Sequence, residues 1–535
     1  MRLPLTLAVL MLAALPAQAD DGIGKIKTGV PDAVTPTPGV AQPNLIDPDF
    51  TARLIAKGAD PLENPSGVIT RFGALLTAVP TEPDENTFLV FDHNPGGPTP
   101  GFDYGRRFLF QGHENAANLA YITRINLDVT DPAHRITLLT PVNPATGLTG
   151  FNRIDGSTFD PFTNTLLFTE ENNTPDLNGS GHVIQVTPNW PPVVNTLEAF
   201  IGFGGFEGIH PDDKGNIYLQ EDIGGNRAPA GTLATIDGSP NIPLRNARQP
   251  NSFVYRYVPN NPQRLEDGGK LQALQVIIDG QPVTFHAADV IGDIIAPAQR
   301  KLHTPGTSWP IKWVTIHESH AGDTAAFVAT SAAKAAGATP FKRPENMAWL
   351  PGSDFRTFFF VPTGDTDAPT GQVPQLAARG AWGSIFRVDL RDDDHDRRDK
   401  KADNDGTISL FFLGDQEHNS FDNLAFANEH QLLAAEDRGD ALHQQLGKFD
   451  SVWAFDVKNG SVRRFIALGR DARSAAAGND DNEPTGVYVS NGSMLREGLL
   501  GTKESLDDAR AFFTQQHGEN TLYEILSLKK SLANN

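Results

Sequence analysis

The sequence predicts an all-β fold, specifically a β-propeller with six expected blades, long loop insertions and a few short helices. Three observations indicate this fold. Glycine and proline, with 50 and 40 residues among 535, interrupt the chain too often for a helical protein. Short runs rich in β-branched and aromatic residues recur between these turn-forming residues. A local sequence unit also repeats, in which an acidic residue comes before an apolar strand.

The short β-rich runs predict ten strands. Many of them are bounded by turn-forming sequences such as Asp160-Pro161 and Asp212-Asp213-Lys214-Gly215. The predicted strands are residues 87–91, 107–110, 165–169, 217–220, 252–257, 358–361, 384–388, 432–435, 452–455 and 521–525.

The repeating unit occurs five times, and in each case a polar turn and an apolar strand follow an acidic residue. The units begin at Ile154-Asp155-Gly156, Phe206-Glu207-Gly208, Pro344-Glu345-Asn346, Phe421-Asp422-Asn423 and Glu483-Pro484-Thr485-Gly486. In a propeller, the residues just before each inner strand converge on one mouth of the central channel, so these acids are expected to meet there. Coincidence is the alternative, because Asp, Asn and Gly favour turns in any fold.

Two segments depart from the β pattern. The alanine-rich residues 324–338 predict a helix that ends near Gly337. Residues 389–406 are rich in Asp, Arg and Lys and are either a calcium loop or a solvated surface excursion. The excursion is favoured, because Lys401 occupies the position of the first ligand of an EF-hand loop.

The amino-terminal residues predict export. Arg2, the apolar residues 3–15 and the small-residue pattern Ala17-Gln18-Ala19 are typical of a signal peptide over residues 1–19, cleaved after Ala19. Because the twin-arginine pair is missing, the general secretory route and a periplasmic or secreted location are expected. Residues 20–48 are expected to form an extended arm, and residues 49–535 a single propeller domain.

Composition restricts the chemistry. The chain has 65 acidic and 44 basic residues, a net charge of −21 and no cysteine. Disulfides, thiolate metal sites and a cysteine nucleophile are therefore excluded, and nucleic-acid binding is not expected. Carboxylates are instead the ligands of hard metal ions.

If the fold is a propeller, some of these acidic residues form a candidate metal site. Carboxylates that meet at one mouth repel each other, so they need cations or must take up protons. Ca²⁺ is the natural occupant, with Mg²⁺, Mn²⁺ or Fe³⁺ as alternatives. Arg343, expected to be left free, would hold an anionic substrate such as a phosphate. The predicted metal ligands are Asp155, Glu171, Glu207, Asp222, Glu345 and Asp422, with Glu483 as a further candidate.

At these residues the sequence resembles the PhoX-type alkaline phosphatases, calcium- and iron-dependent β-propeller phosphomonoesterases of bacteria. Seven motifs match in order over roughly residues 80–530. They are Thr169-Glu170-Glu171-Asn172 ("CEEN"), Phe206-Glu207-Gly208 ("HEG"), Glu221-Asp222 ("GDD"), Arg343-Pro344-Glu345-Asn346 ("RPED"), residues 421–426 ("PDNLAF"), Glu483-Pro484-Thr485-Gly486 ("EVTGP") and Gln515-Gln516-His517-Gly518-Glu519 ("QHPGE").

The resemblance implies an exported phosphomonoesterase, expected to be a monomer with a small phosphorylated substrate, in which a metal-activated water or oxide attacks phosphorus. Three positions depart from the family pattern. Asp155, sixteen residues before Glu171, lies where the family has an iron-binding cysteine; Gly112 replaces an asparagine, and Phe206 replaces a histidine. These departures favour Ca²⁺ over Fe³⁺.

Two other functions stay open at this point. The chain could be a catalytically inactive, calcium-stabilised binding protein, or a related phosphodiesterase or lactonase. For His317-Glu318-Ser319-His320, a surface or core role is favoured over a metal site, because the spacing differs from that of zinc-binding helices. A structural and a functional role are equally open for His113-Glu114.

Overall fold

The computed structural model describes residues 22–391, 405–478 and 482–529. Six antiparallel groups of strands, named sheets I to VI in chain order, surround one channel in the described residues, and sheets III and IV are continuous with each other. The first strand of each sheet contacts the first strand of the next, and that of sheet VI contacts that of sheet I, which closes the ring. The predicted all-β propeller is therefore confirmed. The expected signal peptide, and residues 392–404 of the candidate calcium loop, lie outside the described residues.

The chain enters the fold through four short strands. They are β1 (Leu45–Ile46), β2 (Phe50–Ala56), β3 (Ile69–Arg71) and β4 (Ala74–Leu75). Of these, β3 and β4 form a hairpin. Before β1, Ile23 and Ile26 are buried against sheet V.

Sheets I and II are each formed by four consecutive strands. Sheet I contains β5 (Glu82–Val90), β6 (Arg107–Glu114), β7 (Tyr121–Asn126) and β8 (Ile136–Leu138). Sheet II contains β9 (Ile154–Asp160), β10 (Thr165–Glu170), β11 (Val183–Val186) and β12 (Val194–Thr196).

Sheets III and IV share an outer edge. Sheet III begins with β13 (Phe206–Pro211) and β14 (Ile217–Glu221), is interrupted by the hairpin β15 (Leu233–Ile236) and β16 (Ser239–Pro243), and continues with β17 (Val254–Pro259), β18 (Gly268–Ile278) and β19 (Gln281–Pro282). Next come helices α1 (Val290–Ile295) and α2 (Pro297–Leu302), strand β20 (Ser308–His320) and helix α3 (Ala329–Ala335). Sheet IV contains β21 (Pro344–Trp349), β22 (Thr357–Pro362), β23 (Ser384–Leu390) and β24 (Gly406–Leu413), with α4 (Ala368–Gly371) and α5 (Pro374–Ala377) inserted. Strand β20 pairs with β18 on one side and β24 on the other, which joins the two sheets.

The last two sheets take strands from both ends of the chain. Sheet V contains β25 (Phe421–Asn428), β26 (Gln431–Glu436), β27 (Ser451–Asp456) and β28 (Val462–Ala467), with α6 (Gly439–Leu446) inserted and β1 paired to β28. After α7 (Ala472–Ala477), sheet VI contains β29 (Pro484–Ser490), β30 (Arg510–Gln515) and β31 (Thr521–Ser527), and β2 is its outer strand. Because β2 pairs with β31, the two ends of the chain hold the ring closed. Single 3₁₀ turns lie at Leu265–Asp267, Arg496–Gly498 and Glu504–Leu506.

Aromatic side chains fill the wedges between sheets. Between sheets III and IV, the Trp349 ring lies edge-on to Tyr218 and Phe358, with ring centroids 4.9 and 5.3 Å apart. All three residues are almost fully buried. Each of the ten predicted strands overlaps an observed one, because these apolar runs supply the core.

Two predicted details are wrong. The predicted helix over residues 324–338 forms only at Ala329–Ala335, because Phe203 and Val328 form a β-bridge that holds the preceding residues extended. The repeating acids do not lie in turns before the inner strands; four of the five lie within those strands. Around the acid these strands carry small and polar residues, as in Asp155-Gly156-Ser157 and Asp422-Asn423, so their first residues lack the apolar pattern that identifies a strand.

Candidate metal centre

Each inner strand is irregular near its start, at the channel mouth. In β9, Asp155 and Gly156 lie opposite the single residue Thr169 of β10, which is a β-bulge. The equivalent bulges place a carboxylate first in five of the six sheets: Asp84, Asp155, Glu207, Glu345 and Asp422. In β29 the irregularity falls one residue later, at Gly486-Val487, and carries no acid. The bulges therefore form an inner ring of five carboxylates.

Close packing fixes these bulges. A side chain at Gly156 would lie 1.8 Å from the carbonyl oxygen of Glu207 in the next sheet. The Thr169 hydroxyl donates to the same carbonyl at 2.6 Å. The acidic bulges of sheets II and III are thus locked against each other through the backbone.

The ends of the second strands supply an outer ring. On each second strand, the residue that follows the partner of the last residue before the bulge is Glu114 in sheet I, Glu171 in sheet II, Asp222 in sheet III and Asp437 in sheet V. The residue one position earlier points into its own sheet, because side chains alternate along a strand. In sheet II, for example, Glu170 accepts hydrogen bonds from the backbone N–H groups of Gly181 and His182, both at 2.8 Å.

Six of the ring carboxylates form two groups close enough to hold cations. One oxygen from each of Asp84, Glu114 and Asp155 lies within 4.8 Å of the other two, and the same holds for Glu207, Glu345 and Asp422. We call these sets the first and second triads. The Oδ1 atom of Asp155 is buried and has no hydrogen-bond partner in the described part of the chain. An all-oxygen donor set with an unpaired buried ligand atom fits a hard cation.

The electrostatics of the rings agree with this fit. Burial, followed by the Asp222 charge, raises the pKa of Glu171 to about 8. Burial and the Asp84 charge raise the pKa of Asp422 to about 7. Burial and the neighbouring acids also raise the pKa values of Asp155 and Glu207 well above the usual range. Without cations, these groups therefore take up protons.

A hydrogen-bonded layer lies directly below the rings. Glu85 accepts from the backbone N–H of Ser157 at 2.7 Å and from the side-chain amide of Asn346. The Asn346 carbonyl oxygen is 2.8 Å from Nε2 of His210. This layer ties sheets I, II, III and IV together beneath the carboxylates, and burial raises the pKa of Glu85 to about 8.

Arg343 is not free, contrary to the expectation. Its Nε and Nη2 atoms donate to Oδ1 and Oδ2 of Asp222, both at 2.8 Å, and Nη2 is also 3.1 Å from Glu345 Oε1. Within the described residues, Nη1 makes no hydrogen bond. The guanidinium is therefore fixed on one edge and keeps donors on the other.

The structure brings all six predicted ligands to this mouth: Asp155, Glu207, Glu345 and Asp422 on the inner ring, Glu171 and Asp222 on the outer ring. Only four of the six belong to a triad. Glu483, the further candidate, lies one residue before β29 and is close enough to Asp437 and Asp422 that both charges, after burial, raise its pKa.

Sequence reasoning missed two acids for which a signal existed. Pro83-Asp84-Glu85 repeats the pattern of Pro344-Glu345-Asn346, and Glu436-Asp437 repeats the doublet of Glu170-Glu171. It also left Glu114 undecided, which the structure assigns to the first triad. Its neighbour His113 stacks on Tyr121 with ring centroids 4.3 Å apart, and burial lowers its pKa to about 3.

The other candidate histidines lie in strand β20, outside both rings. His317 stacks on Phe327, with ring centroids 3.8 Å apart. Between His317 and His320 in the sequence, Glu318 forms an ion pair with Lys270, and Ser319 accepts a hydrogen bond from the Gly269 N–H.

The family model described as alkaline phosphatase PhoX matches residues 246–493. Over this segment, just under half of its length, the chain is similar to the PhoX alkaline phosphatases. The matched segment contains Glu345 and Asp422, two of the three acids of the second triad, and Arg343 beside them; Glu207 lies outside it. The predicted resemblance is confirmed, and with it the expectation of a phosphatase-type enzyme at the level of the family.

One solved structure confirms the fold. Pseudomonas fluorescens PhoX, solved in complex with the transition-state analogue vanadate, has 12% identity and a TM-score of 0.55, covering 94% of this chain and 99% of the PhoX chain. A putative gluconolactonase has 10% identity and a TM-score of 0.35, covering 90% and 94%. No curated protein sequence matches significantly.

Proposed function

We propose that this protein is an exported, metal-dependent phosphomonoesterase of PhoX type. The observation that carries the proposal is the pair of carboxylate triads at one channel mouth, with Arg343 bonded between Asp222 and Glu345. The vanadate bound by the Pseudomonas relative supports a phosphoryl-transfer site in this fold.

The two triads are proposed to hold the metal ions, with Ca²⁺ favoured because every donor is a carboxylate oxygen. Bound cations would supply Lewis-acid polarisation of phosphoryl oxygens and lower the pKa of a water. Asp155 stands where the family has its iron-binding cysteine, and its oxygen makes an iron centre less favoured than calcium.

Arg343 is proposed to stabilise charge on the phosphoryl group. Asp222 accepts on one edge of the guanidinium, which orients the free Nη1 edge. A pre-oriented arginine stabilises developing charge without reorganising during the reaction. Asp222 is therefore proposed to position Arg343, in addition to any contact with a metal.

The test is hydrolysis of p-nitrophenyl phosphate by purified protein, with Ca²⁺, with Fe³⁺ and after chelation. We expect turnover with Ca²⁺ that chelation abolishes, and Glu345→Gln to lose most of it. Bis(p-nitrophenyl) phosphate and a lactone serve as control substrates. Absence of phosphomonoester turnover under every metal condition would refute the proposal, and a calcium-dependent rise in Tm alone would favour the non-catalytic alternative.

Export rests on the signal-peptide pattern of residues 1–19. In the described residues, the helices are all too short and too polar to span a bilayer. Amino-terminal sequencing of protein from the periplasm or medium should start at Asp20 if cleavage follows Ala19.

A further inference from the structure

Arg153 occupies the same place in sheet II as Arg343 does in sheet IV. Each residue directly precedes an inner strand, and each has a left-handed backbone, with φ of 42° and 57°. This conformation is unfavourable for residues with a Cβ atom. In sheet V, Ser420 takes the same position with φ 51°, so the backbone does not require an arginine there. The backbone conformation therefore does not explain why an arginine stands at this position.

Arg153 is fixed between two acids of the outer ring. Its backbone N–H donates to the carbonyl of Asn115, which follows Glu114, at 3.0 Å. Its own carbonyl accepts from the backbone N–H of Glu171, also at 3.0 Å. The residue thus lies between the ends of β6 and β10, beside the first triad.

The guanidinium of Arg343 is paired with Asp222 and Glu345, but that of Arg153 has no such partner among the described residues. No hydrogen bond or ion pair joins the Arg153 side chain to any described residue, although it is only half-buried at an acidic mouth. Burial and Asp222 raise the pKa of Glu171, and the Arg153 charge acts against them. Its fork of donors is therefore available to an anion once cations balance the carboxylates.

We propose that Arg153 binds the phosphoryl group of the substrate, as a second arginine in the site. The substrate class rests on the proposed phosphatase function. A phosphate monoester carries two negative charges on its terminal oxygens, and arginine pairs with two such oxygens at once. Arg343, with one edge held by Asp222, offers only its remaining Nη1 donors. Arg153 therefore supplies the bidentate contact.

The experiment measures binding of inorganic phosphate to calcium-loaded protein by titration calorimetry. It compares wild type, Arg153→Gln, Arg153→Lys and the control Arg245→Gln. Arg245 is an exposed arginine with φ 55°, so it matches the backbone of Arg153, and its side chain makes no hydrogen bond or ion pair with the described acids of either ring. We expect Arg153→Gln to weaken phosphate binding about 10- to 100-fold, Arg153→Lys to recover part of it, and Arg245→Gln to leave it unchanged.

Kinetics with p-nitrophenyl phosphate separate this inference from the function on which it rests. We expect Arg153→Gln to raise KM more than it lowers kcat, at unchanged calcium content and Tm. Phosphate binding that depends on Arg153 in a protein without turnover would keep the inference and refute the phosphatase. Wild type that binds no phosphate, or Arg153→Gln that binds it normally, would overturn the inference. A lower Tm or calcium content with unchanged phosphate affinity would show that Arg153 only balances Glu114 and Glu171.

Discussion

Adjacent acids have opposite functions in this fold. Glu170 and Glu171 are neighbours in sequence, but strand alternation turns the first into the sheet and the second towards the channel. The carboxylate of Glu170 accepts backbone N–H groups, as does that of Glu436 from Ser451 at 2.9 Å. Burying a carboxylate is tolerated there because hydrogen bonds satisfy it. The Glu171 carboxylate instead faces other charges.

This pair gives a matched test at the residue scale. We expect Glu171→Gln to weaken Ca²⁺ binding by about tenfold or more, with no loss of metal-free stability, because it removes an unbalanced charge. Glu170→Gln should destabilise the protein by about 1–3 kcal/mol, because buried N–H groups lose a charged acceptor.

Calcium titration and urea unfolding of both variants check these outcomes. Equal calcium affinities in the two variants would contradict the assignment of Glu171 to the mouth.

At the scale of the element, the β-bulge places the carboxylate of each inner strand at the candidate metal site. A regular strand would direct every second side chain into the channel. In a bulge, two residues lie opposite one residue of the partner strand, and this changes the direction of the first side chain. The bulges need small neighbours where sheets meet, as at Gly156, where the next sheet approaches too closely for a Cβ atom. The ring is therefore built by backbone packing as much as by its acids.

Replacing this glycine tests the packing. We expect Gly156→Ala to destabilise the protein by about 1–3 kcal/mol and to weaken calcium binding, because the Glu207 carbonyl must move. Gly67→Ala is the control, since Gly67 is exposed, has no positive φ and has open space around its Cβ position. That control should be neutral or stabilise by up to about 1 kcal/mol, because alanine restricts the unfolded chain. Denaturant unfolding measures both, and equal stabilities would refute the tight contact.

At the scale of the whole molecule, folding concentrates negative charge. Five inner-ring and four outer-ring acids, nine of the 65 in the chain, meet at one mouth. The ring stays closed because β2, from the amino-terminal part, completes sheet VI. Metal-free protein is therefore expected to store repulsion that cations relieve.

The pH dependence of stability follows from these carboxylates. Burial raises the pKa values of Glu85 and Glu171 to about 8, from the 4.5 of the free side chain. The folded chain must lose these protons as pH rises through about 8, whereas the unfolded chain has already lost them. We expect the Tm of metal-free protein to fall from about pH 6.5 to about pH 8 and to level off above that, and Ca²⁺ to abolish this fall.

Thermal unfolding with chelator and with Ca²⁺ provides the measurement. The buried histidines do not interfere in this range. Burial holds the pKa of His113 at about 3 and those of His210 and His303 at about 4, so their effect appears only as pH falls below about 6.5. A Tm that rises with pH in chelator would contradict the prediction.

The sequence by itself determined the fold class and the identity of most acids at the mouth. Apolar runs marked mainly the second and outer strands, together with the later part of the inner strand β5, because these residues fill the wedges between sheets. The spacing of acid, small residue and apolar strand predicted that Asp155, Glu207, Glu345 and Asp422 would converge. Doublets such as Glu170-Glu171 were also visible in the sequence, but nothing in their composition distinguishes the acid that faces the channel.

Only the tertiary structure decided which charges are paired. The starts of the inner strands carried no apolar pattern, so their bulges, and Asp84 with them, were not predicted. Asp222 and Arg343 are 121 residues apart in the chain, and their contact depends on the neighbouring positions of sheets III and IV. That contact fixes Arg343, which was expected to be free. The physical reason is that pairing of buried charges is set by distances across sheets, which local sequence does not encode.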